Sequence, residues 1–216
     1  MKSNNGKRSL KSLNMKWLVL LAVADVLVVL FFVAPELVKG ASLTQVGVGR
    51  VLTTTVMPVV VLLIVNVLPH DVKSSLVYWK PLGVLPGTEA FTKYGPADPR
   101  IDMAVLEKNI GTLPTSPSEQ NTMWYKLYKQ VADEPEVAEA HKLFLMYRDM
   151  AVISLAWVIL VPVALFVVGV ASPGWWITAG LFLLQYFVTA LSSRWSGIRF
   201  VCNVLAIHSA CEASSA

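Results

Sequence analysis

Two polar side chains, Asp25 and Gln185, occur inside apolar runs that are long enough to cross a membrane. An ionisable group in a membrane span is costly, so it faces protein or water and marks a candidate functional position. Asp25 lies about 12 Å along a helix from Trp17, and Gln185 lies about 13 Å from Arg194 on a helix that runs the other way. This shared depth predicts a hydrogen bond from the Gln185 amide to Asp25, within a protomer or across an oligomer interface. The pair is either a structural polar clamp or a pore-lining, proton-responsive site.

Four other residues in the apolar runs are candidates for lining a pore or for gating: Arg50, Thr54, Pro58 and Pro162. Arg50 begins the second run from the outer side, where its side chain can also snorkel to the interface. A proline in mid-span removes a backbone hydrogen bond and can kink the helix, although kinks are also common in passive structures. The evidence for a pore from these residues alone is therefore weak.

The polar middle of the chain contains no GxSxG, HExxH, P-loop, GxGxxG or CxxC motif, so we expect no enzyme, no cofactor and no metal. Cys202 and Cys211 have no metal-ligand spacing and are interpreted as free thiols. An enzyme would require His141, Asp149 and Glu119 to converge on one cleft at the bilayer surface.

A cluster of hydrogen-bonding and aromatic residues in the middle segment has the composition of a recognition surface. Core packing of Trp124 and charge pairing on one helix are the alternative explanations. Positions 70–149 hold nine Lys and Arg against eleven Asp and Glu, which does not favour a nucleic-acid partner. The partner-binding candidates are Glu119, Gln120, Asn121, Trp124, Tyr125, Arg148 and Asp149.

The elements that must position these residues are membrane helices, because the chain is 55% hydrophobic and only 15% charged. Four runs are long enough to cross about 30 Å of hydrocarbon. They cover positions 17–37, 48–68, 150–171 and 175–194, which form two helical hairpins. The first run extends to Leu37 without a clear cleavage site, so we expect a retained helix and not a signal peptide.

The basic residues set the predicted orientation of these spans. Five precede the first run, nine lie in the middle segment and two follow the last run, whereas the outer links hold only Lys39 and Arg50. The positive-inside rule therefore places both termini and the middle segment in the cytoplasm.

The middle segment carries helix-start signals typical of a folded helical domain. Asp98 is predicted to cap a helix that ends at Gly111, and Ser116 opens an S-x-x-E capping box. A third helix is predicted from Asp133, running without a break into the third span. Positions 71–97 are predicted to be an interfacial segment that turns at Leu85-Pro86-Gly87 and packs on the helical domain.

The predicted fold is an all-α integral membrane protein with two transmembrane hairpins and a helical cytoplasmic domain between spans 2 and 3. Its segments are a basic tail (1–16), the first hairpin (17–68), the domain (69–149), the second hairpin (150–194), and an interfacial amphipathic helix with a disordered tail (195–216).

This architecture predicts a non-enzymatic protein of the bacterial inner membrane, with the lipid bilayer, further copies of itself and a soluble cytoplasmic protein as partners. Its domain would sense or bind the soluble partner and act on the spans, as an anchor or as a pore-forming effector. Small bacterial proteins of this shape recur in stress and antiphage systems, an analogy from architecture alone. The alternative is a small ion- or proton-coupled transporter that uses Asp25.

Overall fold

The computed structural model describes residues 10–38, 61, 63, 65–81, 84–167 and 171–210, with the backbone alone for 10–13, 31–38 and 167. Within these ranges the chain is all-helical and contains no strand, which confirms the predicted all-α class. The helices are α1 (Leu10–Val38), α2 (His70–Tyr78), α3 (Met103–Ile110), α4 (Pro117–Gln130), α5 (Pro135–Val167) and α6 (Ser172–Ala210). Between α2 and α3 lie a 3₁₀ helix, Pro86–Glu89, a π-helical turn, Ala90–Tyr94, and a short α turn, Gly95–Ala97.

The chain divides into two compact units. The first unit comprises Met1–Lys73 and Met146–Ala190, and the second comprises Ser74–Leu145 and Leu191–Ala216. Helices α5 and α6 each contribute residues to both units. The second unit thus includes the C-terminal part of α6 in addition to most of the predicted domain, 69–149.

The first unit exposes many large apolar side chains, and its interior contains polar as well as apolar side chains. Along α1, the residues Leu18, Ala22, Asp25 and Val29 are buried at helical spacing. Their apolar neighbours on the other faces are exposed, and α6 shows the same pattern. The exposed residues of α6 in this unit include Trp176, Ile177, Leu181, Leu184, Phe187 and Val188. An apolar exterior of this extent is typical of helices that face lipid.

Two helices among the described residues are long and apolar enough to cross a membrane, Pro135–Phe166 and Ser172–Ala210. They contain the third and fourth predicted spans. The first predicted span is helical within α1. The second, 48–68, lies largely outside the described residues, although positions 61, 63 and 65–67 are helical.

The second unit has an ordinary hydrophobic core with Phe200 among its aromatic residues. Trp124 and Tyr128 meet this ring edge-on, with centroids 5.0 and 5.1 Å away, and His141 stacks on it at 4.5 Å. Over 195–210, the described part of the segment predicted to be an interfacial amphipathic helix and a disordered tail, the chain is helical and packs into this core. Positions 211–216 lie outside the described residues. Residues of α6 such as Val201 and Leu205 are covered by protein, because an apolar stripe of this spacing fits a protein core as well as a lipid surface.

The predicted helix ends are partly correct. Ser116 caps α4 by accepting from the Glu119 amide at 3.4 Å, and Gly111 ends α3 with φ of 86°, both as predicted. The cap of α3 is Asp102 and not Asp98, because the Asp98 carboxylate is already engaged by Arg100. The helix predicted from Asp133 begins at Pro135 and runs unbroken to Val167, with Pro162 inside it.

Only part of the segment predicted to be interfacial, 71–97, is exposed. Val77 and Tyr78 are buried in protein, whereas Trp79 is exposed. The predicted turn is present, since the Thr88 amide donates to the Leu85 carbonyl at 3.1 Å. Gly87 packs against Trp124 so closely that a Cβ atom would lie 2.6 Å from the indole, so only glycine permits this approach.

Candidate functional site

The structure brings Asp25 and Gln185 together in the interior of the first unit. Gln185 Nε2 donates to Asp25 Oδ1 at 3.0 Å and to Ser154 Oγ at 3.1 Å. Ser154 in turn donates to the Met150 carbonyl at 2.9 Å. One amide group thus joins α1, α5 and α6, and the functional role of the pair stays a prediction.

The second oxygen of Asp25 is the chemically open part of this site. Only 2% of Asp25 is exposed, and Trp157 lies next to it. Neither Asp25 Oδ2 nor Trp157 Nε1 makes a hydrogen bond of good geometry with any described residue. A buried acceptor beside a buried donor can hold a bound water between them.

A second polar cluster in the first unit joins the start of α2 to α5. Asp149 Oδ1 accepts from Lys73 Nζ at 3.1 Å and from Arg148 Nε at 3.2 Å. Arg148 NH1 lies 3.1 Å from His70 Nδ1. Because a guanidinium only donates, His70 Nδ1 must carry no proton, so the ring is neutral with its hydrogen on Nε2.

The surroundings of His70 favour this neutral form. Burial lowers the pKa of His70 below its usual value, and the charges of Arg148 and Lys73 lower this pKa further. The carboxylates of Asp149 and Asp71 act in the opposite direction without reversing the shift. Protonation of the ring removes the acceptor for Arg148 and places a third cation in the cluster.

Two of the five partner-binding candidates in the second unit, Gln120 and Trp124, are buried. Gln120 Oε1 accepts from the Phe91 amide at 3.0 Å, and Gln120 Nε2 donates to the Thr115 carbonyl at 2.8 Å. Trp124 is buried in the core, and Glu119 accepts a hydrogen bond from Ser116 Oγ at 2.7 Å.

One of these candidates, Tyr125, lies on an exposed stripe along α4. Asn121 is half-buried near Gly87, whereas Tyr125 is exposed. Lys129 Nζ lies over the Tyr125 ring, 5.1 Å from its centroid. The stripe consists of Ser118, Thr122, Tyr125 and Lys129.

The remaining predicted site residues have other positions. Arg148 and Asp149 belong to the buried cluster of the first unit. Pro162 lies within α5, and Arg50, Thr54 and Pro58 lie outside the described residues.

The three residues of the enzyme alternative each have separate contacts. Asp149 is bound by Lys73, Glu119 by Ser116, and His141 Nδ1 lies 3.1 Å from the Tyr128 hydroxyl. Among the described residues, no three His, Cys, Asp or Glu side chains form a group that could hold a metal ion.

Sequence reasoning missed several participants in these contacts. It did not assign Ser154 and Trp157 to Asp25, nor His70 and Lys73 to the cluster around Asp149. The positions of His70 and Arg148 next to the ends of two predicted spans are a signal for the second cluster, because both are then expected at the same membrane face.

No family model, no curated protein and no solved structure matches this chain.

Proposed function

We propose that the chain is a bacterial inner-membrane protein with four spans and cytoplasmic termini, acting without catalysis as a homo-oligomeric effector or anchor. Its second unit binds a soluble protein and transmits this binding to the spans. The observation that supports the proposal is helix continuity. Helices α5 and α6 each belong partly to the apolar bundle and partly to the core of the second unit.

Residence in the membrane is supported by the polarity of the first unit. Its helices expose large apolar side chains and bury Asp25, Ser154 and Thr178. In water the exposed apolar area would stay hydrated, which is unfavourable, whereas lipid removes this cost.

The partner surface within this proposal is the α4 stripe around Tyr125. A tyrosine supplies a large contact area at low entropic cost, and its stacking by Lys129 holds the ring in place. Two other candidates on α4, Trp124 and Gln120, are buried and pack this helix against the core, so they hold the exposed stripe in place.

Site-directed photo-crosslinking in cells tests the partner surface. A photo-reactive phenylalanine analogue at position 125 is expected to trap a discrete soluble protein. The matched control is the same analogue at Glu139, an exposed position of α5 in the same unit. Equal adducts at both positions would show that the α4 stripe is not a specific binding surface.

Permeability measurements test whether the oligomer forms a pore. Dye leakage from vesicles containing the protein is compared between the native chain, Asp25→Asn and Gln185→Leu. Loss of leakage in both variants is expected if the buried pair lines the pore. Unchanged leakage would remove this version of the proposal and leave the anchor.

A second candidate, a proton-coupled transporter, is favoured by one observation, the open oxygen of Asp25 beside Trp157. Such a carrier would show pH-dependent flux that Asp25→Asn abolishes, with no requirement for a soluble partner. A flux that depends on the partner would instead favour the effector.

A further inference from the structure

Trp79 has an unusual backbone conformation for so large a residue. It follows the last residue of α2 and has φ of 51°, in the left-handed region. This position after a helix is normally taken by glycine or asparagine, because a Cβ atom is disfavoured there. The indole is nevertheless 46% exposed, so burial alone does not explain why tryptophan occupies the position. Such an outlier indicates a functional constraint.

Arg194 on α6 supplies the partner of this indole. The Arg194 guanidinium carbon lies 5.5 Å from the centroid of the Trp79 ring. The adjacent Tyr78 packs against Gly197, where a Cβ atom would collide with its hydroxyl oxygen. Because Gly197 is one turn beyond Arg194, this contact fixes the register that places Trp79 beside the guanidinium.

Arg194 forms no ion pair with a carboxylate of the described residues, a property that it shares with Arg199. Arg100 pairs with Asp98, and Arg148 pairs with Asp149. A cation–π contact does not use up the N–H donors of a guanidinium, and these donors match the oxygens of a phosphate group.

The position of Arg194 along α6 indicates where such a phosphate would be. The exposed apolar residues of this helix end at Val188, about 9 Å before Arg194 along the axis. The next residue, Trp195, is 67% exposed. Tryptophan and arginine at the end of an apolar stretch are typical of the headgroup region of a bilayer.

We propose that Arg194, held in a cation–π contact with Trp79, binds the phosphate of an anionic lipid headgroup at the cytoplasmic face of the membrane. The inference rests on the proposed membrane function, and it adds a ligand and a site to it. The same phosphate chemistry could be supplied by a soluble anion, so the test separates the two sources.

The test uses the full chain purified in a mild detergent, with its unfolding midpoint as the readout. Short-chain phosphatidylglycerol is expected to raise the midpoint by about 3 °C, and phosphatidylcholine is expected not to do so. Arg194→Gln should weaken the apparent affinity for phosphatidylglycerol at least about tenfold, and Trp79→Leu about threefold. Arg199→Gln is the matched control, because Arg199 is an exposed arginine on the same helix.

Three outcomes would overturn the proposal. An unchanged affinity in Arg194→Gln would show that the lipid binds elsewhere. An equal loss in Arg199→Gln would show that only net charge matters. An equal midpoint shift with inorganic phosphate at the same concentration would assign the site to a soluble anion.

Two further measurements keep the test interpretable. Arg194→Lys retains the charge without the planar fork, so it should fold normally yet bind phosphatidylglycerol less tightly than the native chain. Extraction of cell membranes with alkaline carbonate reports separately on membrane insertion. A chain that is released into the supernatant contradicts the proposed function itself, whatever the lipid titration shows.

Discussion

The environment of Asp25 shows how a polar residue is accommodated among apolar helices. Gln185 uses both hydrogens of its amide, one for Asp25 and one for Ser154. Equal depth in two predicted spans was enough to anticipate the first contact. The second was not anticipated, because counting residues places Ser154 only about 6 Å from the start of the third run and ignores the reach of a glutamine side chain.

Removing one partner of this pair is expected to cost more than removing both. Gln185→Leu leaves a buried Asp25 oxygen without its donor and should lower the free energy of unfolding by about 1–2 kcal/mol. Asp25→Asn keeps an acceptor for Gln185 and should cost less than about 0.5 kcal/mol. The double variant Asp25→Leu, Gln185→Leu should recover roughly half of the loss. Unfolding in mixed detergent micelles measures all three, and a double variant that loses at least as much free energy of unfolding as Gln185→Leu alone would contradict the coupling.

The His70 contact predicts a pH dependence of stability. The folded pKa of His70 lies below its unfolded value of 6.5, so the unfolded chain takes up a proton first as the pH falls. This contribution to stability is therefore complete above pH 6.5 and is lost as the pH falls through the folded pKa.

His70→Gln tests this assignment, because glutamine can accept from Arg148 without titrating. We expect the unfolding midpoint of the native chain to fall more than that of the variant between pH 7.5 and pH 5.5. Identical pH profiles would show that His70 does not report on the cluster.

At the scale of single elements, local signals predicted helix ends when one residue could satisfy the cap. Ser116 was such a case, since its capping box was unambiguous. Asp98 and Asp102 are equally good cap residues by type. The hydrogen bonds from Arg100 to the Asp98 carboxylate leave Asp102 as the cap of α3. The signal for α6 beyond Trp195 was ambiguous for another reason, because periodicity records an apolar face and not what covers it.

The cap of α4 gives a direct test. Ser116→Ala removes the acceptor for the Glu119 amide and should lower the free energy of unfolding by about 1 kcal/mol. Ser118→Ala, an exposed position two residues later, should change it by less than about 0.5 kcal/mol. Hydrogen exchange of the first-turn amides of α4 localises the effect. Equal exchange in the two variants would argue against a capping role.

Two glycines with open surroundings should respond to alanine with opposite signs. No atom lies within 4 Å of a Cβ atom built at Gly111 or at Gly180. Gly111 ends α3 with φ of 86°, so Gly111→Ala should lower the free energy of unfolding by about 1–2 kcal/mol. Gly180 lies inside α6, so Gly180→Ala should raise it by about 0.5–1 kcal/mol. Thermal unfolding of the full chain checks both signs.

At the scale of the whole molecule, composition and apolar run length predicted the all-helical class, because these properties do not depend on which residues meet. The same properties could not predict which helices contribute to the core of the second unit. Its core takes residues from α4, α5 and α6, so Phe200 meets Trp124 only after segments far apart in sequence come together. Local spacing carries no information about such partners.

The four-span topology makes a labelling prediction that separates it from a two-span one. Both native cysteines are first removed by Cys202→Ala and Cys211→Ser. Three variants of this cysteine-free chain then each carry one new cysteine, at Ser42, Ser118 or Ser172. With four spans, a membrane-impermeant maleimide labels positions 42 and 172 on intact spheroplasts, and position 118 only after permeabilisation.

If only α5 and α6 cross the membrane, position 42 stays on the same side as position 118. It would then be labelled only after permeabilisation, whereas position 172 would still be labelled on intact spheroplasts. Because Ser172 begins α6 and follows directly on the exposed Ala171, its accessibility is the internal control for an outward-facing link. Labelling of position 118 on intact spheroplasts would contradict a cytoplasmic second unit, and with it the binding of a cytoplasmic partner.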